Sequence, residues 1–309
     1  MTFVRWIGPF VAILALSTSA SAYTWHEIPT PAAAYEIAAG DGTSPWIVGT
    51  TEDGTTGNYY LYYYNPSNGD WVKATGTGGV GVQIGVAYGD VNRSNWNYPL
   101  VVNAAGNIYS GIPSANDISN GTTTLAVTWT ESSVSGACAT TISSEGAANS
   151  VQSNAVPFIT GCSSVSGGHD IFYNQNVMDG LDLSDWVQGS GTAEQVSVSQ
   201  DGSVEIVYDS NNHIWISSFA MFGTWTFQEM PGGANWVSAG AGTSTAIAEE
   251  LELAWVVGTD SKIFWWQQVT PQKWIEATGG PDGTASRVSV GQNGTVWAVD
   301  ASHRIWYYN

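Results

Sequence analysis

Four histidines, two cysteines and 26 acidic side chains are the groups of this 309-residue chain that could ligate a metal, activate a nucleophile or move a proton. His169, His213 and His303 suggest a metal site, since three imidazoles suffice for a catalytic zinc. Each, however, stands just before an aliphatic–aromatic pair in a different stretch: Ile171-Phe172, Ile214-Trp215 and Ile305-Trp306. Turns of separate repeats lie much farther apart than the ~2 Å of a ligand bond. His26 is isolated near the start. No serine occupies a nucleophile elbow, and no His–Asp partner can be assigned by spacing. Neither Asp179, Asp182 and Asp185 nor Glu249, Glu250 and Glu252 has the spacing of a calcium loop. The expectation is a protein that is not an enzyme and needs no metal or cofactor.

The chemistry that remains is aromatic. The chain carries 16 Trp and 14 Tyr. Such rings can stack on the apolar face of a pyranose while a few polar groups take its hydroxyls. Most of the rings follow a pattern, though. The pairs Leu61-Tyr62, Ile108-Tyr109, Ile171-Phe172, Ile214-Trp215, Ile263-Phe264 and Ile305-Trp306 recur along the chain. The first five are followed by Trp71, Trp129, Trp186, Trp225 and Trp274; the sixth lies at the C-terminus, and Trp25 stands unpaired near the other end. Five complete units and one divided between the termini describe a closed ring cut open. The paired rings are expected to pack between repeats; Trp96, outside the pattern, is freer to bind.

Within the last unit, Arg287-Val288-Ser289-Val290-Gly291 and Thr295-Val296-Trp297-Ala298-Val299 flank an Asn-Gly turn, and Ile305-Trp306-Tyr307-Tyr308 follows a polar turn. Asn-Gly suits the positive φ angles of a tight hairpin. The unit around Trp186 repeats this order through Gln195 to Val198, Ser203 to Val207 and Ile214-Trp215. Four short strands per unit, here a to d from the axis outward, predict an all-β fold: a six-bladed β-propeller of four antiparallel strands per blade. The segment around Trp25 supplies the missing outer strand of the last blade and closes the ring. Helix signals are nearly absent; the Ala- and Glu-rich stretch from Ser244 to Leu253 reads as an insertion.

The unit from Trp274 through the Val288-Ser289-Val290-Gly291 strand to Tyr308 resembles the tectonin-type β-propeller repeat, as does the unit from Trp186 to Trp225. The resemblance extends over the chain from Tyr23 and implies a lectin-like module binding cell-surface glycans or glycoproteins. The alternatives are a protein-binding or structural extracellular propeller and a glycan-cleaving enzyme. It transfers no ligand residue, because the matched motif is structural.

Residues 1–22 read as a signal peptide: Arg5, an apolar run from Trp6 to Leu16, then Ala20-Ser21-Ala22. Residues 23–309 are then one secreted domain. A formal net charge of −19 disfavours nucleic acid and anionic membrane surfaces as partners. In an oxidising compartment Cys138 and Cys162 are expected to bridge, which is worth about 3 kcal/mol in the chain-entropy account. The sequons at Asn92, Asn120 and Asn293 fall on a–b and c–d connections, which share one side of a propeller. Ligand is therefore expected on the opposite rim, at the b–c turns holding Asp53, His169, Asp170, His213, Lys262 and His303.

Overall fold

A computed structural model of the chain describes residues 24–29, 33–54, 57–88, 97–120, 122–132, 134, 137–144, 156–174, 183–199, 204–218, 226–240, 254–267 and 270–308. Their regular structure is β apart from one short helix, Ala115–Asn120, which the sequence did not announce. Trp96, Trp225 and the stretch from Ser244 to Leu253 lie outside the described residues.

The strands pair in consecutive antiparallel groups of four. The first holds Ala34–Ala38, Trp46–Glu52, Tyr59–Asn65 and Asp70–Thr75. The second holds Gln83–Tyr88, Asn97–Val102, Ile108–Pro113 and Thr124–Glu131. The third holds Ala139–Ser144, Pro157–Val165, Gly168–Asn174 and Trp186–Ala193. In the fourth, Gln195–Val198, Val204–Tyr208 and His213–Ser218 are followed by a long strand, Gln228–Ala239, whose second half begins the fifth group. That group continues with Ala254–Gly258, Ile263–Gln267 and Lys273–Glu276. The last group is Ala285–Val290, Val296–Asp300 and Ile305–Tyr308, completed by Trp25–Glu27 from the other end of the chain. Trp25 pairs with Tyr308, so the two described ends close on each other, as the divided repeat requires.

One register recurs. The outer-strand tryptophan faces the third residue beyond the buried aliphatic: Tyr64↔Trp71, Gly111↔Trp129, Asn174↔Trp186, Trp266↔Trp274 and Tyr308↔Trp25. In the fourth group Ile216 faces Gln228, and the next step of that ladder puts Phe227, not the expected Trp225, in this position. Phe227 supplies the ring there, packing against the cluster that holds Phe158 and Ile171. The indoles also tie groups together: Trp25 Nε1 donates to Ala277 O at 3.2 Å and Trp186 Nε1 to Ser132 Oγ at 3.3 Å. The second group departs from the pattern. Its helix occupies the c–d connection, and its outer strand starts early enough to pair in parallel with the first group's outer strand, Leu125 facing Ala74. That pairing covers an otherwise open edge.

Hydrophobic burial lies between groups. One cluster joins Val48 and Leu61 to Ile84 and Val101; another joins Trp255 and Ile263 to Val288 and Ala298; a third joins Ile47 to Trp297 and Ile305 across the seam. Toward the axis the inner strands approach edge to edge, and a serine repeated on them bridges neighbours. Ser143 Oγ accepts the Val198 N–H at 3.1 Å, Ser197 that of Ala239 at 3.0 Å, Ser238 that of Val290 at 3.0 Å and Ser289 that of Ala39 at 2.9 Å. These are edge-strand donors that the sheets themselves do not pair. Ala38 and Gly85 hold the corresponding place in the first two groups. Around the axis the inner strands leave a narrow cavity of about 50 Å³.

Ser238→Ala removes the acceptor of the buried Val290 N–H. The expected cost is about 1–3 kcal/mol. A lowered urea midpoint with unchanged slope measures it; an unchanged midpoint would show that the serine bridge contributes nothing.

Candidate functional site

The b–c rim was the expected site, and its predicted residues turn out to be dispersed. His303 adopts φ 64° in its turn. Its carbonyl accepts the Ala34 N–H at 2.9 Å, and its ring meets Tyr35 edge-on at 4.6 Å, so it fastens the seam. His213 opens a strand rather than sitting in the turn; its Nδ1 lies 3.2 Å from Asp209 Oδ2. Burial alone would raise the Asp209 pKa, but the N–H groups of Asn211 and His213 and the Trp215 indole outweigh it and hold the carboxyl below its usual range. Asp300, with Ser302, Arg304 and Trp306, repeats this cage in the last group. Lys262 Nζ bonds both Glu276 oxygens at 3.0 Å, and that bond raises its pKa. Asp53 stays in its turn, where its N–H donates to Asn58 O. His169 lies inside a strand, opposite Ala193, with Nδ1 buried and unbonded. Among the described residues, no three His, Cys, Asp or Glu side chains gather as a metal site.

Asp170 is the exception, because it lines a cavity. A pocket of about 260 Å³ opens on this rim between the second and third groups. Its walls are Phe172, Trp186, Ile159 and the Cys138–Cys162 disulfide, and its polar groups include Asp170 and Ser163. The disulfide forms as expected, with Cα atoms 5.4 Å apart. It needs glycine at position 106, where a Cβ would stand 2.3 Å from Cys138 Sγ. Trp186 is half-buried, and its indole N–H is already bonded to Ser132, so the ring presents carbon surface. An apolar wall with a single carboxylate and a hydroxyl can seat a small polyhydroxylated ring.

A second feature escaped sequence reasoning. The residue two places before the bridging serine, or before Ala38 in the first group, lies near the start of the inner strand on the same rim, and Glu36, Gln195 and Trp236 there line the axial cavity. Glu36, Gln195, Trp236 and Arg287 take this place in the first, fourth, fifth and last groups. Arg287 Nε bonds Glu36 Oε2 at 2.8 Å, and its guanidinium stacks 4.1 Å above Trp236. Gln195 bonds the Val237 backbone in both directions, at 2.9 and 3.0 Å. The signal was present in the sequence as a polar or aromatic residue at a fixed repeat position. The axial cavity, at about 50 Å³, is too small for a sugar.

Of the sequons, Asn92 lies outside the described residues, Asn120 ends the helix, and Asn293 sits in an a–b turn, where its Oδ1 accepts the Thr295 N–H at 2.9 Å.

No protein-family model matches the chain, and no curated protein matches it. Among solved structures it is similar to the crystal structure of the Myceliophteria thermophila Cps50 (Swd1) β-propeller domain, with a TM-score of 0.53 at 10% identity over 92% of this chain and 98% of that one. The likeness extends to the fold alone: the protein is an all-β, propeller-like structure.

Two buried carboxyls make its stability pH-dependent. Burial lifts Glu205, whose oxygens have no hydrogen-bond partner, from 4.5 to about 8. Burial lifts Glu36 to about 7, with Arg287 pulling it back. The unfolded chain releases these protons near pH 4.5, whereas the folded chain keeps them, so stability must fall as pH rises from there toward 8. Each group contributes at most about 1.4 kcal/mol per pH unit. Urea midpoints taken from pH 5 to 8 should decline, and Glu205→Gln should flatten the decline; an equally steep decline in that variant would refute the assignment to Glu205.

Proposed function

We propose that this chain is a secreted, six-bladed, tectonin-like β-propeller that recognises carbohydrate without turning it over. The blade number is supported by the inner strands of successive groups, all of which line one axial cavity. The observation that carries the function is the rim pocket: a half-buried Trp186 and Phe172 set against a disulfide, with Asp170 and Ser163 at hand. Aromatic carbon would take the apolar face of a pyranose, and the carboxylate would accept from its hydroxyls. The disulfide bridge fits an oxidising compartment and removal of residues 1–22. Binding needs no cofactor. Partners would be glycans or glycoproteins displayed on a surface.

A glycan array tests this. Wild-type protein should bind a defined subset of glycans, competed by free sugar. Trp186→Ala and Asp170→Asn should each weaken binding at least about tenfold, equivalent to about 1.4 kcal/mol. Silence across the array with folded protein would favour a protein-binding scaffold instead, and cleaved product would mark an enzyme.

A further inference from the structure

A larger groove, of about 590 Å³, lies where the ring closes. Its walls come from both ends of the chain. Trp297 and Tyr307 belong to the last group, His26 and Glu27 to the strand that completes it, and Tyr64 with the Gly42-Thr43 turn to the first group. Gly42, Thr43, Gly69 and Thr295 place one end of it at the a–b and c–d turns, on the opposite side from Asp170, and Ile28 and Pro29 continue its wall along the closing strand. We propose that this seam groove is a second carbohydrate site, one that takes a neutral pyranose, so that a single molecule holds sugars on both of its faces.

The ligand class follows from the walls, and it rests on the carbohydrate reading above. The groove's volume suits a sugar unit with its substituents. The exposed His26 ring stacks on Tyr307 at 4.9 Å and 25°, forming a flat platform. Trp297, almost wholly buried, meets both Tyr307 at 5.5 Å and Tyr64 at 5.7 Å and forms the floor. The Trp297 indole N–H is already given to Gly42 O at 2.9 Å, so the floor offers carbon. Polar edges surround it. The Thr43 and Thr295 side chains line the opening, and the Tyr64 hydroxyl lies 3.8 Å from where a Gly69 Cβ would stand. Glu27 lines the groove with its Oε2 paired to Arg304 Nη1 at 3.3 Å, and no Lys or Arg stands among the described residues lining it. The walls therefore offer an acidic sugar no Lys or Arg to bind its charge, while rings and hydroxyl-bearing residues suit a neutral one. Gly42 keeps the opening clear of a side chain where Asn293 packs in: a Cβ would fall 1.8 Å from Asn293 Oδ1.

The test uses full-length protein made without N-glycosylation, so that Asn293 carries no sugar. Neutral methyl glycosides (galactoside, mannoside, fucoside and N-acetylglucosaminide) are titrated calorimetrically, with a sialylated galactoside as the anionic control. For a glycoside that binds, the wild type should show two sites, and Trp186→Ala and Tyr307→Ala should each retain one. His26→Ala, at an exposed position, should weaken the seam site at least about tenfold while leaving the melting temperature unchanged; it decides the matter if Tyr307→Ala fails to fold. Wild type should also crosslink glycoside-coated beads, and neither single-site variant should. One site, lost in Trp186→Ala and untouched in His26→Ala, overturns the seam proposal and leaves the carbohydrate reading standing. Absence of glycoside binding by the wild type overturns both. Tighter binding of the sialylated control at the seam overturns the neutral assignment.

Discussion

Each four-stranded group in this chain carries apolar side chains on both faces, and a thin sheet cannot shield two faces from water by itself. Every group therefore requires a neighbour on each side. A row of such groups always leaves two faces wet, and only a ring leaves none. The described architecture follows from that requirement. Hydrophobic clusters sit between groups rather than at a single centre, and the clusters at the seam are as dry as the rest: Ile47, Val299 and Ile305 are fully buried there. The short strand Trp25–Glu27 matters out of proportion to its length, because without it the last outer face and edge would be open.

Closure also decides where polar groups can go. Near the axis the inner strands come within hydrogen-bond reach of one another, and their edge N–H groups find the serine of the neighbouring strand. Farther out the wedges diverge. The space between them is filled by rings where these are large enough and stays open where they are not. Both candidate sites occupy such gaps, one between the second and third groups and one at the seam. Both cavities are thus by-products of imperfect filling between divergent repeats. The few described cations are largely committed to structure, with Arg287 on Glu36, Arg304 on Asp300 and Lys262 on Glu276. The acidic surface that remains suits neutral ligands better than anions.

How much could be read in advance differs between fold and site. The recurrence of an aliphatic–aromatic pair, the Asn-Gly hairpin and the divided last unit were visible as sequence, because strand register and turn chemistry are local. Phe227 shows the limit. Counting to the nearest tryptophan points to Trp225, whereas hydrogen-bond register, which counts residues along a ladder, selects the neighbouring phenylalanine. The helix Ala115–Asn120 was missed for a related reason: it is held by the connection it fills rather than by strong intrinsic propensity.

The rim histidines were legible as repeat positions but not as roles. His303 serves the seam through its backbone and an edge contact, and His213 serves Asp209; neither use has a signature in residue type. Of the predicted rim residues, Asp170 alone lines a described cavity. What the sequence determined by itself was periodicity: which residues alternate, where the chain turns, and that its two ends belong to one unit. What only the tertiary structure decided was the spacing between units, because a gap between two surfaces depends on the side chains of both. His26 and Tyr64 share a groove solely because the ring shuts.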